Sequence, residues 1–195
     1  MLKHLLSLLC VMVLSITLKA IPDTSRVALV IVDIQEFYFP GGLSELVNPE
    51  PTAQNAAKLL SYFRENKMLV VHIGHKASNG MDFHKLVKPA EGEAVFIKTN
   101  VNAFKGTGLL EYLRGQQVSN LVICGMQTHM CVEAAVRAAA DYGFKVTLIH
   151  DACATKDLKW ENEIIPAKMV HLSTLSTLKS YAKIMSTEEF LKANQ

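Results

Sequence analysis

Six stretches of this chain are dense in Val, Ile, Leu and Ala and mostly lack the every-second-residue polarity of a half-exposed strand; they cover residues 27–33, 68–74, 94–98, 120–125, 145–151 and 182–185. A strand that is apolar on both sides must be covered on both sides. That condition is met mainly in parallel sheets with helices packed on each face. The intervals between the runs fit such helices. Pro51 can open one that carries Ala56, Leu59, Leu60 and Phe63 on one side. Residues 109–113 suit a shorter one, and Val132, Ala135, Val136 and Ala139 line a third that Gly143 can stop. Pro166 can open a fourth with Leu172, Leu175 and Leu178 inward, and Ser186 with Glu189 makes a capping box for the last segment. The pattern predicts an α/β fold: three layers, α/β/α, around a six-stranded, mostly parallel, Rossmann-like sheet with right-handed crossovers. Ligands in such sheets bind beyond the carboxyl ends of the strands.

The first twenty residues do not belong to that pattern. Lys3 and His4 precede an apolar run from Leu5 to Leu18, which ends in Lys19-Ala20. A basic start, a short apolar core and a small final residue read as a secretory signal over residues 1–20, leaving one domain at residues 21–195. The run is shorter than the roughly 18 residues a spanning helix needs. The expected location is therefore periplasmic or secreted, with no membrane attachment of the mature form. Without Lys3 and Lys19 the chain keeps 18 basic and 18 acidic side chains, so charge offers no reason to expect a nucleic-acid partner. Cys124, Cys131 and Cys153 remain, an odd number beside apolar strands and not a disulfide framework.

Chemistry is concentrated where the runs end. The first ends in Asp33-Ile34-Gln35, the third in Lys98, the fourth in Gly125-Met126-Gln127-Thr128-His129-Met130-Cys131 and the fifth in Asp151-Ala152-Cys153. Parallel strands would bring these ends to one rim. Each has a plainer explanation alone: an Asp caps turns, a Lys is solvated, a Cys fills a small space. Together they supply the roles needed to attack a carbonyl. Cys131 falls at the start of a predicted helix, where the unpaired N–H groups and the dipole favour a thiolate, and a neighbouring Lys98 would lower its pKa further. Asp33 could take the thiol proton, and the backbone N–H groups around Gln127 and Cys131 could hold an oxyanion.

The segments VALVIVDIQ, FIKTNVNAFKGTGL, LVICGMQTHMCVEAAVRAAADYGFKVTLIHDACAT and AKIMSTEEFL resemble the isochorismatase-like cysteine hydrolases, the branch of nicotinamidase-related amidases, in order, spacing and type. The resemblance covers essentially all of residues 21–195. It implies that Asp33, Lys98 and Cys131 form a catalytic triad and that the peptide joining Met126 to Gln127 is cis, aiming the Gln127 N–H into an oxyanion hole. It also implies a homodimer or homotetramer. The departures are informative. Nicotinamidases of this family bind a metal through D-x-H and further histidines after the second strand. Here those two positions hold His75 and Ala77, and Asp82-Phe83-His84 has the spacing several residues late. No cofactor is therefore expected, a divalent metal at Asp82 and His84 being the weaker reading. Isochorismatases proper cleave an ether and lack the nucleophilic Cys, so Cys131 speaks against that reaction.

For substrate contacts, the loops at the same rim offer Gln35, Phe39, His75, Asn102, Phe104, Thr128 and Trp160, with Phe37 and Tyr38 nearby. Trp160 falls in a predicted loop as a lid or an interface residue, and His129 is expected to be structural. Apolar walls with few polar groups suit a small neutral amide. The expected function is hydrolysis of a small carbon–nitrogen bond, in an amide, cyclic amide or carbamoyl compound, through a thioester on Cys131. The alternatives are a metal-assisted nicotinamidase and a secreted binding protein with an idle site.

Overall fold

A computed structural model describes residues 26–194; the leader expected at residues 1–20 lies outside that range. All six expected strands form, as β1 (Arg26–Val32), β2 (Leu69–His75), β3 (Ala94–Lys98), β4 (Val118–Met126), β5 (Lys145–Ala154) and β8 (Lys183–Met185). Their order across the sheet is β3-β2-β1-β4-β5-β8, and every neighbouring pair is parallel.

The side chains of β1 show why both faces are covered. Ala28, Val30 and Val32 point into one apolar cluster with Leu109 and Leu113 of α2 (Leu109–Gly115), Val136 of α3 (Glu133–Asp141) and Leu175 of α4 (Ala167–Leu178). Leu29 and Ile31 point into the other, against Ala56, Leu59, Leu60 and Phe63 of α1 (Pro49–Glu65) and Phe190 of α5 (Thr187–Ala193). The strand lacks alternation because both of these faces are core. The capping box of α5 forms as expected, with the Ser186 side chain accepting from the Glu189 N–H and Glu189 accepting from the Ser186 N–H.

Three details depart from the sequence reading. The first helix begins at Pro49, two residues before Pro51, after Asn48 in a left-handed conformation. Residues between β5 and α4, expected as loop, form an antiparallel hairpin of β6 (Leu158–Trp160) and β7 (Glu163–Ile165). The turn before α3 is a π turn over Thr128–Val132, closed by the Val132 N–H donating to the Gln127 carbonyl at 3.2 Å, so Cys131 sits inside a widened turn instead of at the first turn of a regular helix.

The sheet changes direction between β1 and β4: the chain builds outward through β2 and β3 on one side and through β5 and β8 on the other. Beyond the carboxyl ends of those two strands a crevice opens. Gly125 lets them close together there. Its φ is +136°, and a Cβ would stand 1.9 Å from the Val32 carbonyl oxygen, so no other residue fits.

Candidate active site

Asp33, immediately after β1, has a φ of 50°, a left-handed conformation uncommon outside glycine but better tolerated by Asp than by most residues. Its N–H donates to the Ile73 carbonyl at 2.8 Å, which ties the turn to β2. Lys98, the last residue of β3, extends under the strand ends and places Nζ 2.7 Å from Asp33 Oδ2. It also donates to Cys131 Sγ at 3.1 Å and lies 2.8 Å from His75 Nδ1. Asp33, Lys98 and Cys131 are 0%, 1% and 3% exposed. The three residues singled out in the sequence thus meet through one ammonium, although 33 residues separate Lys98 from Cys131. The peptide between Met126 and Gln127 is cis.

The electrostatics correct one expectation. Cys131 was expected to have a depressed pKa. Burial, and then the Asp33 charge, push its thiol up to about 12 against the pull of Lys98. Burial also raises the Asp33 carboxyl above its usual value despite Lys98 beside it. In both groups burial is the largest cause, and in both it disfavours the charged form. Such a thiol becomes a nucleophile by giving up its proton during attack, which is work for a general base.

The sequence model of the Isochorismatase domain matches residues 27–189. The chain belongs to the isochorismatase family of hydrolases. Its family relatives include the uncharacterized isochorismatase family protein YddQ of Bacillus subtilis (strain 168), 42% identical over 85% of this chain and 98% of that protein. A maleamate amidohydrolase of Pseudomonas putida is 28% identical over 64% of this chain and 70% of its own. Among solved structures, an isochorismatase hydrolase from Oleispira antarctica superposes with a TM-score of 0.84 and 36% identity, covering 88% of this chain and 99% of that one.

Beyond the triad, this family member uses most of the expected substrate contacts as framework. Both ends of the Gln35 amide are occupied: Oε1 accepts the His75 N–H at 2.6 Å, and Nε2 donates to the carbonyls of Met81 at 2.6 Å and His75 at 3.2 Å. Phe39 is buried and stacks on His84, centroids 3.9 Å apart. Phe104 packs in the core against Tyr142 and Phe144. Asn102 Oδ1 accepts the Phe104 N–H at 2.9 Å, a turn-forming bond. The Thr128 hydroxyl has one proton; it donates to the Ala154 carbonyl at 3.2 Å and is left to accept from His171 Nδ1 at 3.0 Å. Trp160, expected at the rim, stands 70% exposed on β6 and shares none of the site's hydrogen bonds or ring contacts. These bonds and packings build Gln35, Phe39, Asn102, Phe104 and Thr128 into the framework around the triad. His129 Nδ1 lies 2.6 Å from Thr155 Oγ1.

In the late Asp82-Phe83-His84 triplet, His84 is stacked on Phe39 and its Nδ1 accepts from the Leu86 N–H. Among the described residues one group of three potential ligands does converge, Asp33, His75 and Cys131, with ligand atoms within 4.8 Å of one another. The Lys98 ammonium, within 3.1 Å of all three residues, already supplies a cation there.

Tyr38, one of the aromatic residues placed near the rim from the sequence, is a neighbour of the triad. Its phenol is buried, lies beside the Gln127 amide, and is raised in pKa by burial and more weakly by the charges of Cys131 and Asp33, with Gln127 opposing. A run of Phe37, Tyr38 and Phe39 gave no signal as to which ring would face the chemistry. A cavity of about 500 Å³ opens elsewhere, where Val27, Asn120, Lys145, Lys183 and Phe190 meet, and contains none of these groups.

Proposed function

We propose that this hydrolase cleaves a carbon–nitrogen bond of a small neutral amide, cyclic amide or carbamoyl compound through a thioester on Cys131. The observation that carries the reading is the contact of a carboxylate, an ammonium and a thiol, at 2.7 and 3.1 Å, in the crevice between β1 and β4. The maleamate amidohydrolase, named for amide cleavage, supports the bond class.

In the proposed cycle Asp33 takes the Sγ proton as sulfur bonds to the carbonyl carbon. The N–H groups of Gln127 and Cys131 steady the resulting oxyanion. Collapse breaks the C–N bond, and the proton on Asp33 passes to the departing nitrogen, which leaves as ammonia or an amine. Water then attacks the thioester, with Asp33 again accepting a proton, and the C–S bond breaks to give the acid and the free thiol. Lys98 keeps Asp33 ionised between steps and offsets charge developing on sulfur. The reading needs no cofactor.

Ammonia release from a panel of small amides tests it, with Cys131→Ala as the paired variant. Turnover should fall by at least about a thousandfold in the variant. Its unfolding midpoint should stay near that of the parent, since Cys→Ala removes one small buried side chain. Parent-like turnover by Cys131→Ala would remove the nucleophile assignment. We also propose that the leader exports the enzyme; the mass of protein recovered outside the cytoplasm should then begin near Ile21.

A further inference from the structure

An ammonium has three N–H bonds and no lone pair. Lys98 is given three acceptors: Asp33 Oδ2 at 2.7 Å, His75 Nδ1 at 2.8 Å and Cys131 Sγ at 3.1 Å. Nδ1 must therefore present its lone pair, which leaves the ring proton on Nε2. His75 and Lys98 end adjacent strands and are register partners, and the buried Gln35 amide clamps the His75 backbone through its N–H and its carbonyl. The ring is thus built into the sheet edge. Among the four clustered groups, Asp33, Lys98 and Cys131 are buried and His75 alone is partly exposed. Its Nε2 has no hydrogen-bond partner among the described residues.

We propose that His75 is a positioning residue for this site: a neutral imidazole whose Nδ1 holds the third proton of Lys98 and whose free Nε2–H, on the solvent side of the triad, donates to an acceptor oxygen of the substrate beyond the scissile amide. The inference rests on the reading of Cys131 as the nucleophile. It adds a substrate class: small amides that carry a second carbonyl oxygen. Protonating His75 would remove the lone pair and set two cations 2.8 Å apart. The groups facing the ring are Lys98 from β3, Asp33 after β1 and Cys131 in the turn after β4; burial and then Lys98 lower its pKa, while Asp33 opposes them. The neutral form therefore prevails at neutral pH.

Three variants separate the two ring nitrogens. His75→Asn keeps an acceptor near the Nδ1 position and lacks the Nε2 donor, His75→Leu lacks both, and Lys98→Met removes the partner. Long-range ¹H–¹⁵N spectra of the ¹⁵N-histidine-labelled protein should show His75 as the Nε2–H tautomer in the parent and a raised His75 pKa in Lys98→Met. Iodoacetamide labelling, mapped to Cys131 by mass spectrometry, should slow about tenfold in His75→Leu, equivalent to about one unit in the thiol pKa. His75→Asn should recover most of that loss, yet raise KM about tenfold for a panel amide with a second acceptor, the scale of one lost hydrogen bond. An Nδ1–H tautomer overturns the proposal. So does a His75→Leu labelling rate equal to the parent's while Lys98→Met is slowed, and that result leaves the triad reading intact. Parent-like labelling in Lys98→Met as well would overturn the triad reading and this inference together. If His75→Leu does not fold, the parent spectra and His75→Asn still decide.

Discussion

Asp33 and Lys98 are closed off from water and hold each other at 2.7 Å, so neither can be removed quietly. Lys98→Met leaves a lone buried carboxylate and should destabilise the protein by about 3–5 kcal/mol near pH 7 in urea unfolding. The loss should shrink as pH falls, because the lone carboxyl can then take a proton, and Asp33→Asn/Lys98→Met should lose less than the sum of its single changes. Gly125 is as intolerant for a different reason. With a Cβ directed 1.9 Å from the Val32 oxygen, Gly125→Ala should cost more than about 4 kcal/mol or yield no folded protein, as read by circular dichroism and a thermal melt. Cys131 illustrates how a residue's position can be read from sequence while its electrostatic surroundings cannot. A sulfur after a strand was visible in the sequence. The burial and the Asp33 charge that push its thiol up to about 12 were not.

One ion cluster joins three pieces of the fold. Glu93, just before β3, accepts from Arg64 of α1 at 2.7 and 2.8 Å and from the Ala90 N–H at 2.8 Å, and pairs with His72 Nε2 of β2 at 2.8 Å. Burial acts to raise the Glu93 carboxyl, but those partners outweigh it and hold the pKa at about 2. Burial lowers His72 below its usual value although Glu93 opposes. Both groups bind protons more readily unfolded than folded, so both make stability fall as pH drops. His72 contributes below its unfolded value of about 6.5, and Glu93 between its unfolded 4.5 and about 2. Urea midpoints should decline in those two windows, and Glu93→Gln should flatten the lower one. The α5 cap is simpler: Ser186→Ala leaves the Glu189 N–H without its acceptor and should cost about 1 kcal/mol. That cap was readable because both partners lie within one helical turn. The β6–β7 hairpin was not, because three of its four apolar residues, Trp160, Ile164 and Ile165, are exposed and the inward-facing pattern that marks the other strands is missing.

The molecule spends its apolar runs on a sheet covered on both faces and leaves several large apolar side chains exposed, one set of them on the hairpin and α4. Trp160, Ile164 and Ile165 on the hairpin and Met169 and Leu172 on α4 are exposed, from 39% at Ile165 to 70% at Trp160. The dimer or tetramer expected from the sequence would have a ready interface there. Light scattering should show a larger species for the parent than for Ile164→Glu/Met169→Glu. Leu172 belongs to this exposed set and was expected inside; α4 buries Val170, Thr174, Leu175 and Leu178 instead. The sequence by itself determined the six parallel strands, the alternation with helices and the presence of Asp33, Lys98 and Cys131 at strand ends, since burial on both faces and strand polarity are written in composition and order. Only the tertiary structure decided which polar groups remain free for chemistry. Gln35 and Thr128 give their hydrogen bonds to backbone or neighbouring side chains, while His75 keeps one nitrogen free. The reason is that the partners of Gln35, Thr128 and His75 come from segments tens of residues away, which no local pattern records.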